Sequence, residues 1–449
     1  MTDKNATELK NKIRQQFDFG PYPRFLIDES PKDRPNLLYI HNLATPYYLR
    51  NQKVIESEGK LILDAGCGTG YKALALAFAN PGAKIIGIDL SERSIELARE
   101  RFKYQNCQQG EFHVLGIDDL PNLELEFDYI NCDELLYLFP DPSQALQAMK
   151  SVLKPQGIIR SNLHSSLQRF SYFRAQSAFK LMGLMNDNPE EMEIDIAVEI
   201  IKSLKNGVDL KKTTWSSKYE DDDTRKEETL MNYLFQGDKG FTIPDLFAAL
   251  QVAGLEFIDM VNWRQWDLME LFENPEDLPV FLALSLPEAT IEEKLHLFEL
   301  LHPAHRLLDF WCGHPGQSQA FLPIEQWTDE DWKAAKVNLH PQLKTSEVKQ
   351  ELSNCCQNLT LLDVGKLLPI DGGKVVSLDV TLAACLLPPL FEGSQSIEFL
   401  VERWLKFRPI DLETLEETSW EEVFNKFKST LTGLEAHGYV FLENQSSIV

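Results

Sequence analysis

A glycine-rich turn between an apolar strand and a helix constrains this chain more than any other feature. Residues 60–64 (KLILD) form a short apolar run, residues 66–70 (GCGTG) follow, and residues 71–80 have a helical pattern. Glycine lets a backbone turn sharply and approach a ligand closely, and the helix N-terminus behind it offers free N–H groups. A second apolar run, 84–89, ends in Asp89, where a carboxylate can accept both hydroxyls of a ribose. The pattern therefore predicts a nucleoside-containing ligand at the end of a sheet.

The spacing of the elements indicates the class of fold. Further strands are predicted at 111–115, 127–132 and from 158, with two more at 255–261 and about 279–285, and helices fall between them. Strands that alternate with helices at this spacing are typical of a parallel, doubly wound α/β sheet. Residues 165–240 interrupt the alternation with a helical, Met-rich insertion, which we expect to cover the sheet.

A dinucleotide-binding loop is the nearest alternative for the glycine turn. Such a loop requires G-x-G-x-x-G, whereas this turn reads G-x-G-x-G and is preceded by Asp64. A carboxylate at that position suits a cationic group better than a pyrophosphate.

The motifs LDAGCGTG, GIDLS and LKPQG resemble those of the class I S-adenosylmethionine-dependent methyltransferases over roughly residues 58–163. The resemblance implies a Rossmann-like seven-stranded sheet and S-adenosylmethionine as cofactor, with Asp64 at the methionyl amino group and Asp89 at the ribose hydroxyls. One departure is Gly116, which occupies the position where many relatives carry an acid for the adenine amino group, so that Asp118 would have to substitute. The cofactor-binding residues implied are Asp64, Ala65, Gly66, Cys67, Gly68, Gly70, Asp89, Leu90, Ile117, Asp118, Asn131 and Cys132.

Candidate catalytic residues lie where strands of the predicted sheet end, because ligands of such sheets bind there. They are Asn131, Asp133, Tyr137 and His164, with Tyr22 from the N-terminal segment FDFGPYP as a residue that closes the pocket. Each also has a plain structural interpretation. Asp133 could cap a helix, the two tyrosines could pack, and His164 could simply end its strand.

The remainder of the chain divides into accessory parts. Residues 1–57 are predicted to form an N-terminal helical arm and 58–286 the methyltransferase domain; 287–355 form a linker region, helical to 311 and polar around 340–355, and 356–449 a winged-helix-like α+β domain. The arm and the C-terminal domain resemble those of large methyltransferases, several of which act on proteins, and more weakly those of the phycobiliprotein asparagine methyltransferases. We therefore expect a protein substrate, while a C-terminal domain of this size could equally mediate homo-oligomerisation. A small metabolite or quinone-like lipid as acceptor, and a cofactor-binding module without catalysis, remain the alternatives.

Composition excludes several other classes. The 44 basic and 69 acidic residues give a net charge of −25, which disfavours nucleic-acid binding, and no apolar run is long enough to insert into a membrane. The seven cysteines include no C-x-x-C pair, which favours reduced thiols in the cytoplasm. Histidines and a cysteine between 296 and 314 lack a familiar zinc spacing, so no metal is expected.

Overall fold

The computed structural model describes residues 3–20, 22–222, 224–370, 372, 376–411 and 414–444, and for residues 3–10 only the backbone. At its centre lies a seven-stranded sheet with the strand order β3-β2-β1-β4-β5-β7-β6. The first five strands are parallel and β7 runs antiparallel to both of its neighbours. The predicted Rossmann-like seven-stranded α/β sheet is therefore confirmed. Its strands are β1 (Leu61–Ala65), β2 (Lys84–Asp89), β3 (Gly110–Val114), β4 (Phe127–Cys132), β5 (Leu153–His164), β6 (Glu256–Met260) and β7 (Leu307–Gly313).

Helices precede the sheet and cover it. Their ends carry the expected signals: Ser91 caps α5 by accepting from the Ser94 amide, and Gly254 ends α11 in the left-handed conformation. The helices are α1 (Asp3–Phe19), α2 (Pro35–Ile40), α3 (Ala44–Asn51), α4 (Tyr71–Ala79), α5 (Glu92–Tyr104) and α6 (Pro142–Ser151), followed after the insertion by α11 (Ile243–Ala253), α12 (Val280–Ser285) and α13 (Ile291–Leu301).

The predicted insertion is helical and has its own apolar core. It comprises α7 (Phe170–Leu181), α8 (Glu191–Ser203), α9 (Asp209–Thr214), α10 (Arg225–Glu228) and a π-helical turn, Thr229–Tyr233. Stacked Tyr219 and Tyr233 rings occupy its centre, with centroids 4.7 Å apart. The insertion is thus a packed unit beside the carboxyl ends of the strands.

Three predicted elements beyond the insertion are wrong. The strand predicted at about 279–285 is instead helix α12 (Val280–Ser285), because the apolar run LPVFLALSL does not alternate and the sheet edge is filled by β6. The helix predicted over 287–311 ends at Leu301, just before Pro303, and residues 307–313 are the seventh strand instead. The sheet therefore extends past residue 286 into the region predicted as a linker. The polar linker predicted around 340–355 is largely helix α15 (Ser346–Asn358), which Thr345 caps.

The C-terminal residues form an additional domain around a separate core. Its three-stranded antiparallel sheet has the order β11-β8-β12, and it is anchored on α2 and α3. There Thr45 Oγ1 lies 3.1 Å from His340 Nε2, and the Tyr48 hydroxyl donates to Glu435 at 2.7 Å. Its elements are α14 (Asp329–Ala334), β8 (Lys336–Leu339), α15 (Ser346–Asn358), β9 (Leu362–Asp363), α16 (Val364–Leu367), β10 (Ser377–Leu378), α17 (Val380–Glu392), β11 (Gln395–Ser396), α18 (Ile397–Phe407), α19 (Trp420–Ala436) and β12 (Val440–Glu443).

No helix in the described residues has both the length and the apolar character that crossing a bilayer requires.

Candidate functional site

The glycine turn joins β1 to α4 in a conformation that requires glycine. Gly68 has φ +49°, and a Cβ built there would lie 2.2 Å from the Tyr22 carbonyl oxygen. The same Tyr22 carbonyl accepts from the Thr69 amide at 3.1 Å, and the Thr69 hydroxyl donates to the Pro23 carbonyl at 2.8 Å. The N-terminal arm is therefore held directly against the turn. Pro21, which belongs to the same predicted arm motif, lies outside the described residues.

Asp64 lies at the end of β1 with one oxygen satisfied and one unpaired. Its Oδ1 accepts from Asn131 Nδ2 at 2.7 Å, while its buried Oδ2 has no hydrogen-bond partner among the described residues. Burial raises the pKa of the Asp64 carboxyl from 3.8 to about 7, against the opposing effects of Asn131 and Lys72. An unpaired, desolvated carboxyl oxygen that lines a cavity is suited to receive a cationic group of a ligand.

Asp89 ends β2 on the neighbouring side of the cavity. Its two oxygens accept from the backbone amides of Gly68, at 3.0 Å, and Ser91, at 2.8 Å. These bonds fix the carboxylate, and each oxygen keeps a further lone pair for a ligand hydroxyl. Burial raises the pKa of Asp89, while the two amides oppose that effect.

The lining of the cavity between these acids suits the chemistry of S-adenosylmethionine, with an acid for the ammonium, an acid for the ribose, and apolar walls for the base. Three residues of the N-terminal arm, which the sequence analysis did not assign to the site, also line this cavity: Ile13, Arg14 and Phe17. Its further lining residues are Tyr22, Pro23, Asp64, Gly66, Cys67, Gly68, Lys72, Ile88, Asp89, Leu90, Ser91, Ser94, Leu115, Gly116, Ile117, Asp133, Glu134, Leu135 and Phe139.

Five implied cofactor residues do not line this cavity. Ala65, Asn131 and Cys132 are buried within the strands, Gly70 is buried at the start of α4, and Asp118 is exposed to solvent. Asn131 contacts the cavity only through Asp64, because its Nδ2 donates to Asp64 Oδ1. The Asn131 side-chain oxygen accepts from Arg160 at 3.3 Å. We therefore describe Asn131 as a positioning residue, and the assignment of Asp118 to the adenine stays a prediction.

Asp133 at the end of β4 is part of a buried layer of charges. Lys72 lies 2.6 Å from it and Arg160 3.8 Å, and Arg160 also pairs with Asp309 at 2.6 Å. Burial alone would raise the pKa of the Asp133 carboxyl, but Lys72 and Arg160 hold it well below its ordinary value. Asp133 is thus ionised and paired, which fits a charge that orients neighbours better than it fits a proton acceptor.

A second cavity, which we call the acceptor cavity, lies beside the first and below the insertion. Phe17, Tyr22 and Glu134 line both cavities. The other residues that line the acceptor cavity are mostly polar: Tyr137, His164, Gln168, Arg169, Tyr172, Lys218, Glu227, Glu228, Met231, Asn232, Phe235 and Arg306.

His164 at the end of β5 is held in a defined orientation in the acceptor cavity. Its Nδ1 lies 2.6 Å from Asp238 Oδ1, its Nε2 lies 3.1 Å from Arg306 Nη1, and its ring stacks on Tyr137 at 3.6 Å. Because a carboxylate only accepts and a guanidinium only donates, these two contacts place a proton on Nδ1, while Nε2 also lies 3.7 Å from Glu134 Oε2. The contacts fix the orientation of the imidazole, with Nε2 facing Arg306 and Glu134.

Glu134 and Tyr22 mark the boundary between the two cavities. Glu134 has φ +61°, a conformation that is uncommon for residues other than glycine, and it is hydrogen-bonded and ion-paired to Arg306. Burial would raise the pKa of Glu134, yet Arg306 and Lys72 hold it well below its ordinary value. Burial and the nearby Glu134 raise the pKa of the Tyr22 phenol, so that Tyr22 is a neutral hydrogen-bond donor.

Sequence reasoning missed Lys72, Glu134, Asp238 and Arg306. Glu134 could have been found, because it directly follows Asp133 at a strand end. Arg306 and Asp238 carry no local signal, since they reach the site only through the antiparallel insertion of β7 and the end of the helical insertion.

Comparison with known proteins agrees with this geometry. A family described as "Methyltransferase domain" matches residues 56–229. An uncharacterized protein of Synechococcus sp. is 28% identical over 322 residues, which is 70% of this chain and 73% of the relative. The ubiquinone biosynthesis O-methyltransferase of Neisseria meningitidis is 36% identical over 103 residues, covering 22% of this chain and 42% of that enzyme, so the match spans about two fifths of that relative.

Solved structures share the fold over most of the chain. PKMT2 from Rickettsia typhi superposes with a TM-score of 0.56 at 18% identity, covering 95% of this chain and 77% of that one. The same protein in complex with AdoHcy gives a TM-score of 0.55 at 16% identity, over 91% of this chain. Together with the glycine turn, the unpaired Asp64 and the ribose-side Asp89, these matches lead to one assignment. The chain carries a class I methyltransferase domain, which uses S-adenosylmethionine.

Proposed function

We propose that this protein transfers the methyl group of S-adenosylmethionine to a side chain of a protein substrate. The observation that carries the proposal is the junction of two cavities at Phe17, Tyr22 and Glu134. One cavity has the acids that suit the cofactor, and the other is polar and lies below the insertion. A nucleophile bound in the acceptor cavity would therefore meet the cofactor at this junction.

The chain's own residues align the acceptor and exclude water. S-adenosylmethionine supplies an activated methyl group on a sulfonium, so that the protein needs mainly to orient the nucleophile. Tyr22, a neutral donor at the junction, can hydrogen-bond to the acceptor and close the space above it. His164 Nε2 can take the proton that the acceptor releases, after Arg306 has moved away from that nitrogen.

The lining of the acceptor cavity supports a polar side chain over a quinone-like lipid. Nine of its fifteen lining residues are charged or carry amide or imidazole groups, and burying an apolar ring against them would leave polar groups unpaired. An amide such as asparagine, the acceptor of the phycobiliprotein enzymes, is one of the side chains it could take, because an oriented base is present. The additional C-terminal domain offers contact area that a small substrate does not need.

The main alternative is a small-molecule acceptor, which the matches to ubiquinone biosynthesis O-methyltransferases favour. Those matches cover 22% of this chain and 42% and 41% of the enzymes matched, so most of each chain lies outside the shared part. A cytoplasmic location, the absence of a nucleic-acid partner and homo-oligomerisation through the C-terminal domain remain predictions.

The test is incubation with S-adenosylmethionine carrying a labelled methyl group in lysate of the source organism, followed by separation of protein from small molecules. Wild type is compared with Asp64→Ala and with Asp119→Ala, an exposed acid outside the cavity lining that serves as the matched control. Label in a discrete protein band that only Asp64→Ala loses supports the proposal. Label confined to the small-molecule fraction would refute the protein substrate, and binding of cofactor without any labelled product would indicate a non-catalytic module.

A further inference from the structure

Helix α12 is apolar yet lies on the surface. Val280, Phe281 and Leu284 are 76%, 79% and 72% exposed, and within the described structure none of its six residues is buried. Single exposed apolar residues are ordinary, but three on one short helix form a contiguous patch of the kind that marks a binding surface.

A groove of about 530 Å³ lies beside this helix and continues the patch. Trp266 and Leu295 are buried at its floor, and the exposed Ile291 extends its rim. The groove is otherwise lined mainly by apolar side chains, among them Leu268, Met269, Leu278, Leu282 and Leu286. Exposed helix and apolar groove together form what we call the α12 surface.

The charge around the α12 surface identifies its occupant. Asp267, Glu276 and Lys294 line the groove, and residues 266–294 contain eight acids and one Lys, so this stretch of the chain carries a net charge of −7 out of the total of −25. The acids are Asp267, Glu270, Glu273, Glu276, Asp277, Glu288, Glu292 and Glu293. An apolar centre with an acidic rim is complementary to an apolar segment flanked by basic residues.

Two other occupants fit the charges less well. A second copy of this chain would bring two acidic rims together, and like charges facing each other oppose association. The cytoplasmic surface of a membrane is anionic and would repel the same rim. We propose that the α12 surface docks an amphipathic segment of a partner protein in which apolar side chains are flanked by Lys and Arg. The docking does not depend on the methyl acceptor.

The test uses a synthetic helix of about 18 residues with Leu on one face and Lys on the other, and the same helix with Glu in place of Lys. Fluorescence anisotropy measures binding to the full-length protein. The Leu–Lys helix is expected to bind and the Leu–Glu helix is not. The double variant Phe281→Ala/Leu284→Ala should weaken binding by about tenfold or more, because two exposed contacts are lost.

Matched variants separate the apolar and the charged contributions. Leu181→Ala, at a position 90% exposed at the end of α7, removes a similar side chain elsewhere and should leave binding unchanged. Glu276→Gln/Asp277→Asn should weaken binding and reduce its salt dependence. Thermal unfolding of each variant verifies that these exposed changes leave the fold intact.

Several outcomes would overturn the proposal. These are equal affinity of wild type and Phe281→Ala/Leu284→Ala, no binding of the Leu–Lys helix by wild type, and equal binding of the Leu–Glu helix. Flotation with phosphatidylglycerol vesicles that depends on Phe281 would assign the surface to a membrane. Self-association that depends on Phe281, measured by light scattering, would assign it to a second copy.

Discussion

Replacing Asp64 by Asn should stabilise the cofactor-free protein while it abolishes cofactor binding. The carboxyl is buried, one oxygen is unpaired, and its pKa is raised from 3.8 to about 7. Asn retains an oxygen for the Asn131 amide, at present 2.7 Å away, but it carries no charge that must be desolvated. The variant therefore removes the unfavourable free energy of burying a carboxylate, which wild type retains because that carboxylate binds the cofactor.

The sign and size of the effect follow from proton binding. Between pH 4 and pH 7 the folded carboxyl holds a proton that the unfolded chain releases, so wild type loses stability as the pH rises through this window. At about 1.4 kcal/mol per pKa unit, the difference between 3.8 and about 7 sets a ceiling of about 4 kcal/mol, reached above pH 7. An unpaired amide in the variant costs about 1–3 kcal/mol at every pH. From pH 5 to pH 8 the unfolding free energy of the variant should therefore rise by about 2–3 kcal/mol relative to that of wild type, which leaves a net stabilisation of about 1–3 kcal/mol at pH 8.

Urea unfolding of both cofactor-free proteins at pH 5, 6, 7 and 8 measures this difference, and other titrating groups cancel because both proteins share them. Calorimetric titration with S-adenosylmethionine at pH 8 measures binding, which the variant should lose because it offers no anion to an ammonium group. A difference in unfolding free energy that does not change with pH would refute the burial argument. Tight binding by the variant would refute the role of Asp64.

Three further predictions concern the turn, the base and the buried charges. Gly68→Ala should weaken cofactor binding about tenfold or more, because the new Cβ would lie 2.2 Å from the Tyr22 carbonyl oxygen. Calorimetric titration measures the affinity, and Gly59→Ala, which has a similar positive φ but open space around it, is the control. His164→Gln should lower turnover about 100-fold or more without changing cofactor affinity, since it removes the oriented Nε2, and single-turnover assays separate the two effects. Arg160→Met should destabilise the protein by about 3–5 kcal/mol in urea unfolding, because Asp309 loses its buried partner; an unchanged midpoint would contradict this.

The position of Asp64, the glycine turn and Asp89 around one cavity was predictable because their signals are local. Asp64 and the glycine turn lie within seven consecutive residues, and Asp89 ends the next strand. Each position follows from a single strand, turn or cap, so that no long-range pairing had to be known. The confirmed seven-stranded sheet rests on the same regular alternation of elements.

The seventh strand was not predictable from its own residues. Residues 307–313 (LLDFWCG) lie between two other strands and are mostly buried, so they are apolar apart from Asp309 and Gly313 and show no regular alternation. Such a run resembles a buried helix as much as a strand, and only its pairing with β5 and β6 decides between them. The same lack of alternation made the exposed helix α12 resemble a strand.

The acceptor side depends on residues that no spacing connects. Tyr22, Glu134, His164, Asp238 and Arg306 come from the arm, three different strand ends or loops, and the segment before β7. Only the folded chain brings them together, so their joint role could not be read from the sequence.

This arrangement also implies that cofactor and acceptor are bound by one continuous structure. Thr69 donates hydrogen bonds to the carbonyls of Tyr22 and Pro23, so the arm can adopt its position only when the glycine turn is also in its folded conformation. Tyr22 then presents its phenol to the acceptor cavity while its backbone contacts the cofactor loop. A change in the turn should therefore alter the acceptor cavity as well, because Tyr22 contacts the turn through its backbone and also lines that cavity. For that reason, a variant of the turn such as Gly68→Ala should raise the KM for the acceptor together with the Kd for the cofactor, whereas a change at Gln168, which lines the acceptor cavity and not the cofactor cavity, should affect the acceptor alone.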